Sequence, residues 1–326
     1  MGVNQVNMNG EELINLADDT ITEEALLTGR TAHAANGEKI EGKLALYAPN
    51  YVDNSDFSVN QRGIAQYSVS GAEIPCVDRW RFGCDDDGFG SSATFTRDAS
   101  LNVGAVLYYG ESGCAWLTQK IDAPERFTDK DMTFTVSFSY IAAGDVSIGM
   151  YQINDAGDVI ESVETAFSRA DIHNVTIKPI IGYSLVIKIR AKGEAWIDGV
   201  SLAIGKGEYL PLPTESALEL IKCQRYLAAV SGYSRYVATR LTTNEIDFFI
   251  PLPTTLKGTP KIDTSNLVIM KWDGATASNV TEGFAFTIAT TSNNGIVIRG
   301  TKTAHGVTAG YLEFKTKSTP FLLSCE

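Results

Sequence analysis

The sequence predicts a mainly β protein: an antiparallel jelly roll or β-sandwich, a short linking helix, a smaller C-terminal β domain and a small N-terminal attachment segment. Three observations predict it. The stretch MTFTVSFSYI (132–141) alternates apolar and hydroxyl side chains, the period-two pattern of a strand with one buried face. YSLVIKIR (183–190) and AWIDGVSLAI (195–204) repeat that signal, punctuated by NDAGD (154–158) and AKGEA (191–195), and many short strands with regular turns build sandwiches. A single stretch, ALELIKCQRYLAAV (217–230), has helical spacing and stands between two β-rich regions.

Taken in order, residues 1–48 hold a short acidic piece, Glu11 to Leu16, and a second opening at Thr22 with Glu23 and Glu24 in its first turn. Both read as helical, since acids suit a helix N-terminus. NGEKIEG (36–42) then reads as a tight turn, because Asn-Gly is a strong hairpin signal. This segment is too small to build its own core and should pack on a larger body. Residues 49–210 are the predicted jelly roll, with Met132, Phe134, Val136, Phe138 and Tyr140 on one face of a strand. Residues 211–230 are the predicted linking helix. Pro211 and Pro213 precede it, Thr214 or Ser216 caps it, and Ala217, Leu220, Ile221 and Leu227 form its buried stripe. Residues 231–326 return to β in EIDFFI, FAFTIAT, GIVIRG, YLEFKTK and FLLSC.

The 326 residues are 44% hydrophobic, enough for sizeable cores, and carry a net charge of −12. No basic stripe is present, so neither nucleic acid nor an anionic membrane surface is an expected partner. No apolar run is long enough for a membrane span, and the start lacks the basic and apolar regions of a secretory signal. The expectation is synthesis in a reducing cytoplasm without a signal peptide. Five scattered cysteines (Cys76, Cys84, Cys114, Cys223, Cys325) without a CxxC pair read as reduced thiols, Cys223 as a small buried hydrophobe.

The segments DNSDFSVNQRG (53–63), DRW (78–80), WLTQKI (116–121), MTFTVSFSY (132–140), WIDGVSL (196–202) and ELIKCQRYL (219–227) occur in that order, followed by PLPTTLKGTPKI (251–262). Together they resemble the carbohydrate-binding-module-like jelly roll of bacteriophage tail fibres and baseplate receptor-binding proteins, with its helix and small C-terminal β domain. DDTITEEALLTGRTAHAANGEKIEGKL (18–44) is similar to a segment at the start of phage tail proteins. The resemblance implies a non-enzymatic homotrimer in the virion tail. Residues 1–48 would dock onto other tail or baseplate proteins, and a host surface polysaccharide would be the ligand. Two other roles stay open: a purely structural tail decoration without sugar binding, and a bacterial carbohydrate-binding accessory protein. The helix is expected either to meet its copies through Leu220, Ile221 and Leu227, with Arg225 pairing to Glu219 or a neighbouring chain, or to cap the sandwich within one chain.

Sugar recognition needs flat rings with hydrogen-bonding neighbours. In the jelly roll the candidates are Trp116 and Tyr108; Tyr109 points to the opposite face of its strand, and Trp80 and Trp196 sit at motif positions that read as core. In the C-terminal domain Trp272, Asp273 and Asn279 fall in one stretch, KWDGATASN (271–279), read as a loop, and Tyr311 is a further candidate beside Tyr233 and Tyr236. The cluster CDDDGFG (84–90) lacks alternately spaced carboxylates and reads as a solvated acidic turn rather than a calcium loop. The resemblance implies a better-placed calcium position at Asp56 and Asp198, but phage versions often lack the ion, so no cofactor is expected. No GxSxG, HExxH or phosphate loop is present, and the expectation is that the protein is not an enzyme.

Overall fold

A computed structural model describes residues 5–9, 11–17, 20–23, 25–26, 30–42, 46–47, 49–85, 92–97, 104–109, 113–122, 127, 129–142, 145–207, 209–210, 216–230, 235–262, 264, 267–273, 276–303, 305, 311–316 and 321–325. They form two compact units. The first comprises Met1–Asp56, Ser68–Ala72 and Phe82–Pro213, the second Phe57–Tyr67, Glu73–Arg81 and Thr214–Glu326. The second unit therefore takes two segments from inside the 49–210 range that the sequence assigned to the jelly roll.

The N-terminal strands are β1 (Gln5–Met8), β2 (Glu11–Asn15), β3 (Thr31–His33), β4 (Lys39–Glu41) and β5 (Leu46–Tyr47). The piece expected to be a helix at Glu11–Leu16 is instead β2, paired antiparallel with β1, Gln5 opposite Asn15. The piece opening at Thr22 makes a single turn, with the amides of Ala25 and Leu26 donating to Thr22 O. Short segments without a packed apolar face rarely hold a helix, and pairing with a neighbour satisfies their backbone instead. The Asn36-Gly37 turn is where the sequence put it: it joins β3 to β4, with Gly37 at φ 77° and Asn36 Oδ1 accepting from the Glu38 amide.

The strands of the sandwich follow: β6 (Gln66–Val69), β7 (Ile74–Pro75), β8 (Arg81–Cys84), β9 (Ala93–Thr96), β10 (Ala105–Tyr109), β11 (Ala115–Ile121), β12 (Met132–Ile141), β13 (Val146–Ile153), β14 (Val159–Phe167), β15 (Ile172–Ile177), β16 (Ser184–Ala191), β17 (Glu194–Ile204) and β18 (Tyr209–Leu210). One sheet runs β15-β12-β17-β10-β9-β6, and in the other β14-β13-β16-β11-β8 lie side by side; β15-β12-β17-β10-β9 and β14-β13-β16-β11 pair antiparallel. Inward residues such as Phe95, Leu107, Leu117, Phe134, Ile187 and Ile197 have no exposed surface, so the core lies between the two sheets. Met132, Phe134, Val136 and Phe138 of β12 are buried as expected, but Thr133 and Thr135 on its other face are buried as well. Register shifts beside Phe138 then turn Tyr140 outward, 43% exposed, against the expectation that it shares the buried face. The chain entering the sandwich is clipped to β17 by Asn50, whose side chain bonds Val200 O and the Leu202 amide.

The helix α1 covers Ser216–Gln224, and β19 (Leu227–Val230) follows it. The expected helix thus ends three residues before Leu227, which is buried in a strand opposite Ser324. The expected stripe is also corrected. The residues α1 buries are Glu219 and Cys223, spaced i, i+4, while Leu220 is half-buried, Ala217 is exposed, and Leu218 and Ile221 are 51% and 46% exposed. Glu219 pairs with Lys222 at 3.3 Å rather than with Arg225, which is exposed. Thr214 lies outside the described residues.

The second unit continues with β20 (Arg235–Arg240), β21 (Glu245–Pro251), β22 (Lys261–Ile262), β23 (Leu267–Asp273), β24 (Thr276–Asn279), β25 (Ala285–Ser292), β26 (Gly295–Thr301), β27 (Tyr311–Thr316) and β28 (Phe321–Ser324). A seven-stranded sheet runs β24-β23-β27-β20-β21-β26-β25 and a small one β19-β28-β22. Its core gathers Ile246, Phe248, Ile250, Ile269, Ile298 and Leu323. Trp80 is fully buried, as the sequence implied, 5.1 Å from Phe57. The Gln61 side chain donates to Leu227 O and accepts from the Ala229 amide, and Arg79 lies 3.5 Å over the Tyr226 ring. All five cysteines are free thiols; Cys76 and Cys84 donate to Trp80 O and Val69 O.

Candidate functional site

The outer face of the β14-β13-β16-β11-β8 sheet carries a connected network of polar side chains. Register places its side chains in rungs. Trp116 stands opposite Arg190, Ser147 and Ala166 across β11, β16, β13 and β14; the next rung is Thr118, Lys188, Gly149 and Glu164. Period-two alternation buries the neighbours of these residues in β11, β13 and β16, so Trp116, Arg190, Ser147, Thr118 and Lys188 share the outer face.

Two rings lie across glycines on this face. A Cβ on Gly83 would fall 2.7 Å from Trp116 Nε1, and one on Gly149 would fall 3.0 Å from the Tyr151 ring. Glycine inside a strand marks a close approach, and here the approaching groups are aromatic faces. Trp116 is half-buried and has Lys188 Nζ 4.4 Å from its ring centre. The Tyr151 hydroxyl donates to Glu164 Oε2, and Ser147 donates to Oε1 of the same carboxylate. Arg190 stands 3.9 Å from Glu164 and 3.5 Å from Asp85, and Asp85 also accepts from the Cys114 amide at 2.9 Å. Beside this network lies a cavity of about 430 Å³ lined by Cys114, Asp145, Ser147, Glu164, Arg190 and Lys192, a volume within the range of small-ligand sites.

The electrostatics follow from the contacts. Burial alone pushes the Glu164 carboxyl up, but the hydrogen bonds from Ser147 and Tyr151 and the charges of Arg190 and Lys188 outweigh it and hold the group below its ordinary value. Burial, then the bond to Glu164 and its charge, push the Tyr151 phenol up, so it stays a donor. Burial raises the Cys114 thiol against the opposing charge of Arg190, with Asp85 adding to the rise. The face therefore offers fixed acceptors and donors of both signs beside two flat rings.

The structure brings some sequence-predicted residues here and disperses others. Trp116 belongs to this face. Tyr108 is on the other sheet, 42% exposed, while Tyr109 is buried, the opposite facing the alternation implied. Trp196, expected in the core, is half-buried on the outside of that sheet, its indole N–H donating to Glu194. The expected Trp272 loop is a hairpin: Trp272 and Asp273 end β23, Asp273 faces Thr276, and Asn279 is three rungs away opposite Met270. Trp272 is half-buried, and Asn279 is exposed and accepts from Thr281. Tyr311 stands opposite Trp272 in β27, and the side chains of Asp273 and Tyr311 lie outside the described residues, as does Tyr233. Tyr236 packs against the core of the second unit. Asp56 is exposed, and Asp198 accepts from Ser137 at 3.3 Å. Among the described residues no three His, Cys, Asp or Glu side chains stand close enough to hold a metal. Asp85 pairs with Arg190 while its side chain stays 42% exposed, and Asp86 and Asp87 lie outside the described residues. Tyr151, Glu164, Ser147 and Arg190 were missed by the sequence reading; the signal was a glycine inside each of two strands, in RFGC and VSIGMYQI.

No protein family and no curated protein matches the chain. Among solved structures it is similar to the enzymatically active domain of tailspike protein 4 of bacteriophage CBA120, at 14% identity and a TM-score of 0.30. That match covers 48% of this chain and only 21% of the tailspike chain. It is similar to TmCBM61, solved in complex with β-1,4-galactotriose, at 14% identity and TM-score 0.30, covering 48% of this chain and all of that one. The CBM22-1–CBM22-2 tandem domain of Paenibacillus barcinonensis Xyn10C matches over 86% of this chain and 96% of its own, at 10% identity and TM-score 0.26. Sheet order and register, not likenesses of this strength, define the β-sandwich.

Proposed function

We propose that the protein is a non-enzymatic phage tail component that binds a host surface glycan on the Trp116–Tyr151 face of its sandwich. The observation that carries this reading is the pair of rings laid over Gly83 and Gly149 beside Glu164, Ser147 and Arg190. Pyranose rings stack their apolar faces on such surfaces while their hydroxyls need donors and acceptors fixed in place. The tail assignment is supported by the order of the sequence segments from Asp53 to Leu227, and places the protein in the virion tail with residues 1–48 against other tail or baseplate proteins. A general acid needs a raised carboxyl value at neutral pH; the lowered value of Glu164 argues against that one role for it.

The homotrimer is part of this reading. Leu218 and Ile221 leave α1 with an outward apolar face, which a second copy would cover. Light scattering should then give about 106 kDa, three times 35.2 kDa; a 35 kDa particle removes the trimer. Glycan binding is tested by retention on immobilised host polysaccharide. Wild type should be retained, Trp116→Ala should bind about tenfold more weakly (~1.4 kcal/mol), and equal retention of both would sink the assignment of this face.

A further inference from the structure

We propose that the opposite sheet of the sandwich carries a second glycan subsite, the outer face of β10, β17 and β12 built from Tyr108, Tyr140 and Trp196. The inference rests on the reading that the chain binds glycans; the sequence named Tyr108 alone as a candidate on this sheet, and what is added is the surface that it forms with Tyr140 and Trp196. Val106, Trp196 and Tyr140 form one rung across the three strands, and Tyr108 stands opposite Glu194 in the next. The Tyr140 and Trp196 rings are 5.3 Å apart at 53°. Tyr108 and Tyr140 expose 42% and 43% of their surface.

Three features argue for a sugar here. The rings are not core: the inward side of the same strands is already filled by Leu107, Ala195, Ile197 and Phe138. The orientation of Trp196 is fixed, its N–H donating to Glu194 Oε1 at 2.5 Å, so ordering it on binding costs little. The rings are interleaved with a carboxylate and hydroxyls rather than with further apolar groups. Glu194 sits between Tyr108 and the next strand, and Thr94 stands opposite Tyr108. A protein interface depletes acids at its centre, whereas rings alternating with acceptors suit a polyhydroxylated ring. The bulge in β12 completes the surface, because without it Tyr140 would point into the core.

Sheets of a sandwich pack about 10 Å apart, so the two faces look away from each other and one chain would hold two glycan strands at once. The test is calorimetric titration of the full chain with galactohexaose, xylohexaose and cellohexaose in turn. The expected result is two molecules of one of these bound per chain. Trp116→Ala should keep one, the double variant Tyr108→Ala/Tyr140→Ala should keep one, and the triple variant none. All substitutions are at half-buried or exposed rings, and circular dichroism checks that each variant is folded. One molecule per chain, lost in Trp116→Ala and unchanged in the tyrosine variant, overturns the second subsite and leaves the first standing. One molecule lost only in the tyrosine variant supports this subsite and removes the first. No binding by wild type overturns both.

Discussion

A methyl group at position 83 would collide with the Trp116 indole, so the absence of a side chain there shapes the site. The ring can lie flat against the sheet only because β8 has no side chain beneath it, and Gly149 does the same for Tyr151. At this scale the acid Glu164 is the group whose protonation can be read. Its folded value lies below the ordinary one, near 4.5. Its contribution to stability is therefore complete above the ordinary value and is lost as pH falls through the lower folded value. Glu164→Gln lacks that contribution at every pH. The gap in melting temperature between wild type and Glu164→Gln should be widest near neutral pH and should close in strong acid. A gap that persisted unchanged into acid would show that the charge of Glu164 is not what the network holds. Single residues were partly legible in the sequence. Alternation separated Tyr108 from Tyr109 correctly, because facing follows from period two alone. Trp196 was misplaced, because a motif position says nothing about which side of a strand is covered.

Elements were legible where their stabilising contacts are local and illegible where they are distant. The Asn36-Gly37 hairpin closes on itself and was readable. The extent of α1 was not, since Leu227–Val230 carries helix-compatible residues and becomes strand only by pairing with Phe321–Ser324, nearly a hundred residues later. The quoted segments NQRG, DRW and KCQRYL meet in the second unit: Gln61 bonds Asp78 and the backbone of β19, while Arg79 covers Tyr226. Part of what these segments do is to fasten one strand. Gln61→Ala leaves Leu227 O and the Ala229 amide without their side-chain partner, and a buried polar group stripped of its partner costs ~1–3 kcal/mol. Urea unfolding should show a loss of that size with glycan retention on the Trp116 face unchanged. A variant as stable as wild type would mean that the fastening is redundant.

For the whole molecule, the mainly β class was legible from strand alternation and turn spacing, but the partition of the chain was not. A boundary drawn near residue 211 looks natural in sequence because the prolines and the helix fall there. Phe57, Gln61 and Trp80 nonetheless belong to the unit that begins again at Thr214, and no local pattern reports a partner that far along the chain. A fragment of residues 214–326 lacks the fully buried Trp80 and its neighbour Phe57, and removing a buried aromatic costs ~3–5 kcal/mol by itself, a large share of a small domain's stability. That fragment should be unfolded by circular dichroism and rapidly proteolysed, whereas adding residues 49–213 should restore a cooperative melt. A cooperative melt from residues 214–326 alone would show that the inserted segments are accessory.

The same interleaving sets a clock on synthesis. Residues 57–67 and 73–81 leave the ribosome some 130 residues before Thr214, counted from Arg81, which at ~5–20 residues per second is a wait of roughly 7–26 s. Throughout it Phe57 and Trp80 have no completed unit to enter, so each nascent chain displays two large aromatics to the chaperones of the cell that makes it.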